Sequence, residues 1–207
     1  MDVILKYFSD LSPLQVQQFE SLYALYSEWN TKINVISRKD IGNLYVHHVL
    51  HSLSLCEVVD FSDGSKLLDL GCGGGFPGIP LAIMYPNCDF HLVDSVGKKL
   101  TVCDGISSAL GLKNVHTSHC RGESLSGRSY DFVLSRAAMS FSSLVECSRG
   151  LILREQHNSL PNGILALKGG DLSSELADYT TKVKTWDIST FYSEDYFKEK
   201  KIIHISL

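Results

Sequence analysis

The chain has 207 residues, 44% of them hydrophobic, and a formal net charge of −4 at pH 7. That is enough apolar material for one α/β domain with a modest extension, and the acidic balance argues against nonspecific nucleic-acid binding through a broad Lys/Arg surface. No stretch reaches the ~18–20 apolar residues of a membrane span. Met1-Asp2-Val3-Ile4-Leu5-Lys6 lacks the basic start and apolar run of a signal peptide, so a cytoplasmic protein is expected. The six cysteines are scattered with no Cys-x-x-Cys pair, which suits reduced, mostly buried thiols rather than a metal site or disulfides.

In chain order, Ser12-Pro13-Leu14-Gln15 reads as a capping box with proline at the first helical position. Val16, Phe19, Leu22, Tyr23, Tyr26 and Trp29 then recur at helical spacing, a stripe expected to pack on the main domain. Asn30 to Ser37 is a polar break, and a second helix is expected from about 41 to 59. His47 and His51 share a face of that helix at i, i+4 spacing, but no acidic or cysteine partner of matching spacing lies nearby, so no metal is expected. Asp63-Gly64 marks the join. Residues 1–63 are read as a helical extension packed on the core and residues 64–207 as the main domain.

The stretch Lys66 to Pro80 organises that domain. Leu67, Leu68 and Leu70 form a short apolar run of the kind that becomes a buried parallel strand, with Asp69 near its end. Gly71, Gly73, Gly74, Gly75 and Gly78 follow, and Pro77 and Pro80 suit the first turn of a helix. Strand, glycine turn and helix build a nucleotide-sized crevice at the carboxyl end of a strand. Read from Gly73, the letters satisfy a dinucleotide fingerprint, Gly73-x-Gly75-x-x-Gly78. Read from Asp69, they are acidic-x-Gly-x-Gly-x-Gly, the pattern of S-adenosylmethionine methyltransferases. The second register is favoured, because a carboxylate suits the cationic amino acid end of S-adenosylmethionine and repels a pyrophosphate.

From Lys66 onward short apolar runs alternate with helical patterns, which predicts a mostly parallel sheet. Strands are expected at 66–70, 89–93, 114–117, 131–135, 162–168, 182–188 and 201–206, with helices near 78–85, 97–110, 141–154 and 171–181. Asp94 ends the second strand, where a carboxylate accepts hydrogen bonds from a ribose. Gly122-Glu123, after the third strand, can offer a backbone N–H and a carboxylate to an adenine edge. Ser135-Arg136-Ala137 follows the fourth strand in place of the Asn/Asp-Pro-Pro-Tyr/Phe motif of exocyclic amine methylation, and Lys168-Gly169-Gly170 follows the fifth. Residues 95 to 136 carry an excess of Lys/Arg (Lys98, Lys99, Lys113, Arg121, Arg128, Arg136), which charge alone reads equally as a basic docking rim or a solvated mixed surface.

Four segments occur in order: Asp69-Leu70-Gly71-Cys72-Gly73-Gly74-Gly75-Phe76-Pro77-Gly78-Ile79-Pro80, Asp94-Ser95-Val96-Gly97-Lys98-Lys99, Ser135-Arg136-Ala137 and Leu167-Lys168-Gly169. Together with Trp29-Asn30-x-x-x-Asn34, the chain resembles the small-subunit ribosomal RNA methyltransferase G family, also called the glucose-inhibited division protein B family, over almost its whole length. The resemblance implies a class I S-adenosylmethionine methyltransferase fold, Rossmann-like, with a mostly parallel seven-stranded sheet. It also implies methylation of guanine N7 in the decoding region of 16S ribosomal RNA, in the small subunit, with S-adenosylmethionine as donor; the residues themselves give no sign of a membrane or of an obligate protein partner.

On the family pattern Gly71, Phe76, Gly122, Glu123 and Arg136 contact the cofactor, joining Asp69, Gly73, Gly75 and Asp94 from the residues themselves. Arg136 and Lys168 are expected to position the substrate, since N7 has an in-plane lone pair and needs no general base. Two segments depart from the family: His47-His48-Val49-Leu50-His51-Ser52 stands for Arg-His-x-x-Asp-Ser, and Glu199-Lys200-Lys201 for an acidic-Arg-His run. Two other readings stay open, a nicotinamide-dependent oxidoreductase and a noncatalytic RNA-binding assembly factor that keeps the fold.

Overall fold

The computed structural model describes every residue except Ala137. A seven-stranded sheet runs in the order β3-β2-β1-β4-β5-β7-β6. Its strands are β1 (Lys66–Leu70), β2 (Asp89–Asp94), β3 (Val115–His119), β4 (Phe132–Arg136), β5 (Gly163–Gly169), β6 (Val183–Asp187) and β7 (Lys200–Ser206). All pairings are parallel except those of β7, which runs antiparallel to both β5 and β6. β1 is buried along Leu67–Leu70 because the sheet is covered on both faces, which is why it reads as an apolar run rather than an alternation. The strand order reverses between β1 and β4, and at such a switch point the carboxyl ends of the strands splay to leave a crevice.

One face of the sheet shares a hydrophobic core with the amino-terminal helices. These are α1 (Asp2–Tyr7) and α2 (Pro13–Lys32), with the composite helical run 41–57, α4 (Gly78–Met84) and α5 (Gly97–Ala109) alongside. Ile4, Phe19, Leu22 and Tyr26 are fully buried in the same core as Leu67, Phe90 and Phe132. The other face packs α6 (Phe141–Ser148) through Phe141, Leu144 and Val145 against Leu68, Val93, Val133 and Ile164.

The capping box forms as the letters predict: Ser12 Oγ accepts from Gln15 N–H, and Gln15 Oε1 accepts from Ser12 N–H at 2.9 Å. Gln15 Nε2 also donates to the carbonyls of Ile83 and Met84, so one side chain starts α2 and satisfies the end of α4. Within the predicted stripe Tyr23 differs, being 46% exposed.

Four further differences have physical causes. α1 lies outside the expected elements; it is a short helix anchored by buried Ile4. The run expected as one helix over 41–59 is a chain of pieces: a 3₁₀ turn (Ile41–Asn43), a π-helical turn (Leu44–Leu50), α3 (His51–Leu53) and a second 3₁₀ turn (Ser54–Glu57). α6 ends at Ser148 rather than 154, because Gly150 follows and the chain is drawn back to the sheet, where Leu153 N–H donates to Tyr130 O at 2.8 Å. The helix expected over 171–181 is a loop with a 3₁₀ turn (Ala177–Tyr179). There the Asp171 carboxylate captures Ser173 N–H and Oγ, a local bond that competes with helix formation.

Candidate active site

A cavity of about 530 Å³ opens at the switch point, within the roughly 300–1,000 Å³ of small-molecule sites. Leu70 lines it from β1, Gly71 and Gly73 from the turn that follows, Val93 and Asp94 from β2, and Arg136 from β4. Ser95, Val96 and Lys99 follow β2, Cys120 to Glu123 follow β3, and Ala138 and Met139 follow β4. The expected sites Gly71, Gly73, Asp94, Gly122, Glu123 and Arg136 therefore converge on one wall system. Asp69, Gly75, Phe76 and Lys168 stand outside that lining.

The glycine turn is held from below. Gly71 N–H and Cys72 N–H both donate to Val93 O, at 2.8 and 3.0 Å, and Gly73 N–H donates to Asp94 Oδ2 at 3.0 Å. Gly73 has φ +59°, and a Cβ built there meets nothing within 4 Å, so its bare backbone faces open space in the cavity. Asp94 also accepts from Val96 N–H at 2.8 Å, and Lys99 Nζ stands 3.6 Å away. Asp94 is thus 6% exposed yet lines the cavity, a fixed carboxylate aimed by backbone donors. Lys99 belongs to this wall, so it is not a residue of an outer docking rim alone.

Asp69 is fully buried and caps α4, its Oδ2 accepting Gly78 N–H at 2.8 Å while Oδ1 has no hydrogen-bond partner. Burial pushes its carboxyl up to about 7, against the opposing pull of the Gly78 bond and the Arg136 charge. Its role in this structure is to fix the turn from behind. Phe76 is likewise buried, stacked on Tyr26 with ring centroids 4.8 Å apart, and Tyr26 Oη donates to Gly74 O at 2.7 Å. Cys72 is buried, and contact with Cys103 together with desolvation pushes its thiol far above the ordinary range, which leaves it a filler and not a nucleophile.

Lys168 is committed elsewhere. Its ammonium donates to Glu175 Oε1 at 2.6 Å and to Met139 O at 2.8 Å, and the same Glu175 oxygen accepts Phe141 N–H. It ties the loop after β5 to Met139 of the cavity wall, rather than presenting a free cation.

Arg136 carries the arrangement that sequence reasoning missed. Its guanidinium lies 4.9 Å from the Phe76 ring centroid, with Nη1 donating to His47 O at 3.2 Å and Nη2 3.0 Å from His48 Nδ1. His48 Nε2 is 2.8 Å from Asp40 Oδ2, and His47 Nδ1 is 2.6 Å from Asp40 Oδ1. Burial and the neighbouring Arg136 charge lower the His48 pKa to about 4. Asp40 stays below the usual carboxylate range: partial burial pushes it up, but hydrogen bonds from His48, Asn43 and His47 outweigh that. The signal in the sequence was the His47-His48 pair with Asp40 one or two turns earlier, legible as a cluster but not as a partner of Arg136. Among the described residues, no group of three or more His, Cys, Asp or Glu side chains is arranged to hold a metal ion, and no helix is long and apolar enough to cross a membrane.

Compared with known proteins, residues 15–200 match the family described as rRNA small subunit methyltransferase G. The chain is 52% identical over 207 residues to ribosomal RNA small subunit methyltransferase G of Phocaeicola vulgatus, covering 100% of this chain and 99% of that protein. It is also 52% identical to the protein of the same name from Porphyromonas gingivalis, covering 100% and 93%. Among solved structures, a precorrin-6y C5,15-methyltransferase from Geobacter metallireducens superposes with TM-score 0.53 at 13% identity, covering 84% of this chain and 92% of that one. An rRNA methylase from Streptococcus thermophilus gives TM-score 0.51 at 13% identity, covering 76% and 95%. At such identities the superpositions establish the fold alone, that of class I methyltransferases.

Proposed function

The chain belongs to the rRNA small subunit methyltransferase G family, and we propose that it methylates N7 of a guanine in the decoding region of 16S ribosomal RNA, using S-adenosylmethionine. It is an S-adenosylmethionine-dependent rRNA methyltransferase by family. The observation that carries the reading is the end-to-end match at 52% identity, laid over a cavity onto which the bare backbone of Gly73 opens.

The residues present fit the cofactor. Open space over Gly73 admits a ligand against backbone, as a side chain there would not. Asp94, oriented by Gly73 and Val96 N–H groups, is the acceptor for the ribose hydroxyls, and Gly122 with Glu123 faces the adenine. Arg136 belongs to the wall nearer the amino acid end and the substrate. Bound there, the cofactor supplies a methyl group activated by a sulfonium.

Guanine N7 holds an in-plane lone pair at neutral pH, so the protein removes no proton and works by alignment. What its residues do is fix the turn through Asp69 and Asp94 and orient the guanidinium of Arg136. Lys168 supports this indirectly: latched to Glu175 and Met139 O, it holds a part of the cavity wall in place. We place the small ribosomal subunit, rather than free nucleotide, as the substrate, approached from the side of the exposed Lys98 and Arg121.

The test is mass spectrometric mapping of 16S RNA from cells with and without the protein. One 7-methylguanosine in the decoding region should vanish with the protein and return with it. Persistence of every 7-methylguanosine would leave only the reading as a noncatalytic RNA-binding factor.

A further inference from the structure

The described structure gives Arg136 no carboxylate at ion-pair distance, although it is a partly buried cation. A buried cation without a counter-charge is costly, and a carboxylate gripping it directly would occupy the donor edge that faces the cavity. We propose that Asp40 and His48 are positioning residues for Arg136, in which a neutral His48 bridges the Asp40 carboxylate to the guanidinium and leaves its remaining N–H groups free toward the cavity.

Donor chemistry assigns the proton. A guanidinium only donates, so His48 Nδ1, 3.0 Å from Arg136 Nη2, must accept. The ring proton then sits on Nε2 and is donated to Asp40 Oδ2 at 2.8 Å. The other oxygen of Asp40 takes His47 Nδ1 at 2.6 Å, and the carbonyl of His47 accepts Arg136 Nη1 at 3.2 Å. Two consecutive histidines therefore hold the guanidinium by ring and by backbone, and one carboxylate holds both rings. The π-helical turn Leu44–Leu50 sets both toward β4. Phe76 closes the remaining face, itself fixed by Tyr26. An imidazolium at His48 would set N–H against N–H and break the bridge. The arrangement leaves one charge state and one tautomer that work.

This inference rests on the reading that the cavity binds S-adenosylmethionine and that Arg136 serves it. The experiment is calorimetric titration of the purified protein with S-adenosylhomocysteine, in a double-mutant cycle of Asp40→Asn, Arg136→Ala and the pair. Asp40→Asn alone should weaken binding about tenfold, the scale of one hydrogen bond to a charged group. In the Arg136→Ala background Asp40→Asn should cost nothing further. His48→Asn, which keeps an acceptor near the Nδ1 position, should retain more affinity than His48→Phe.

A readout independent of any variant is the nitrogen spectrum of wild-type His48, which should show a neutral ring protonated at Nε2 at neutral pH. Weaker binding in Arg136→Ala with full affinity in Asp40→Asn, or additive effects, would overturn the bridge while leaving the cofactor reading intact. So would a ring protonated at Nδ1. Full affinity in Arg136→Ala would remove Arg136 from the site and the bridge with it, and absence of any heat with wild type would overturn both readings.

Discussion

Gly73 can be tested by adding a side chain where the structure has none. Its φ of +59° disfavours a β-branched residue by about 1–2 kcal/mol, a cost a chain of this size can carry. The added carbons would project into the open space of the cavity rather than into protein. Gly73→Val should therefore fold and lose more than tenfold in affinity for S-adenosylhomocysteine, as read by calorimetry. Undiminished affinity would put the ligand elsewhere. Asp69 tests the turn from behind, through pH. An aspartate in the unfolded chain titrates near ~3.9, whereas burial raises Asp69 to about 7 in the folded protein. Between those values the folded state keeps a proton that the unfolded chain has released, so this group costs stability as pH rises from about 4 to about 7. Asp69→Asn keeps an acceptor for Gly78 N–H and removes the titration. Its urea midpoint should gain on wild type as pH rises from about 4 to about 7, with each pKa unit worth about 1.4 kcal/mol. A constant difference would mean that Asp69 is ionised throughout. The role read from letters alone, a carboxylate meeting the cofactor's amino group, came from spacing, and spacing does not say which face of the strand a side chain leaves by.

At the scale of elements, the amino-terminal helices share a core with the sheet domain, and one of the contacts that join them is very close. Trp29 of α2 lies on Gly105 of α5, and a Cβ at Gly105 would overlap its indole. Gly105→Val should cost about 1–3 kcal/mol by overpacking, read as a fall in Tm of about 2–4 °C per kcal/mol, with Trp29→Ala in the same chain relieving part of it. Additive losses from the two changes would mean that they do not touch in solution. The central strands β1, β2, β4 and β5 were legible because burial on both faces writes them as short apolar runs, and the ends of β2 and β4 carry Asp94 and Arg136 in the letters. What could not be read lies where backbone competes with side chain. Asp171 and Ser173 unmake the expected helix after β5, and Glu175, which that helix would have carried on its surface, instead latches Lys168. Likewise the π-helical turn that brings His47 and His48 to Arg136 leaves no periodicity distinct from an ordinary helix over so few residues.

Over the whole molecule, a chain of net charge −4 must meet an RNA phosphate backbone through a local surface. Lys98, next to Lys99 of the cavity wall, and Arg121, itself part of the lining, are both exposed, and neither is in an ion pair among the described residues. Changing both to Gln should weaken binding to small-subunit particles and flatten its salt dependence, by about 0.7–0.9 in log–log slope for each phosphate no longer neutralised. Equal slopes would move the docking surface to Arg38 and Lys39, exposed on the loop that precedes the π-helical turn. The two segments that depart from the family pattern also meet in space: His47 stacks on Tyr196 with centroids 3.9 Å apart, and Lys200 lies 5.0 Å from the same ring. They form one cluster behind Arg136 rather than two separate departures. We propose that this cavity delivers a methyl group to guanine N7. The most direct test is incubation of the purified protein with isotopically labelled S-adenosylmethionine and unmethylated small-subunit particles, followed by mass spectrometric mapping of the label. A single labelled 7-methylguanosine in the decoding region of 16S RNA is expected with wild type and none with Gly73→Val; label on another atom or another RNA, or equal labelling by the variant, would contradict methyl transfer from this cavity to that guanine.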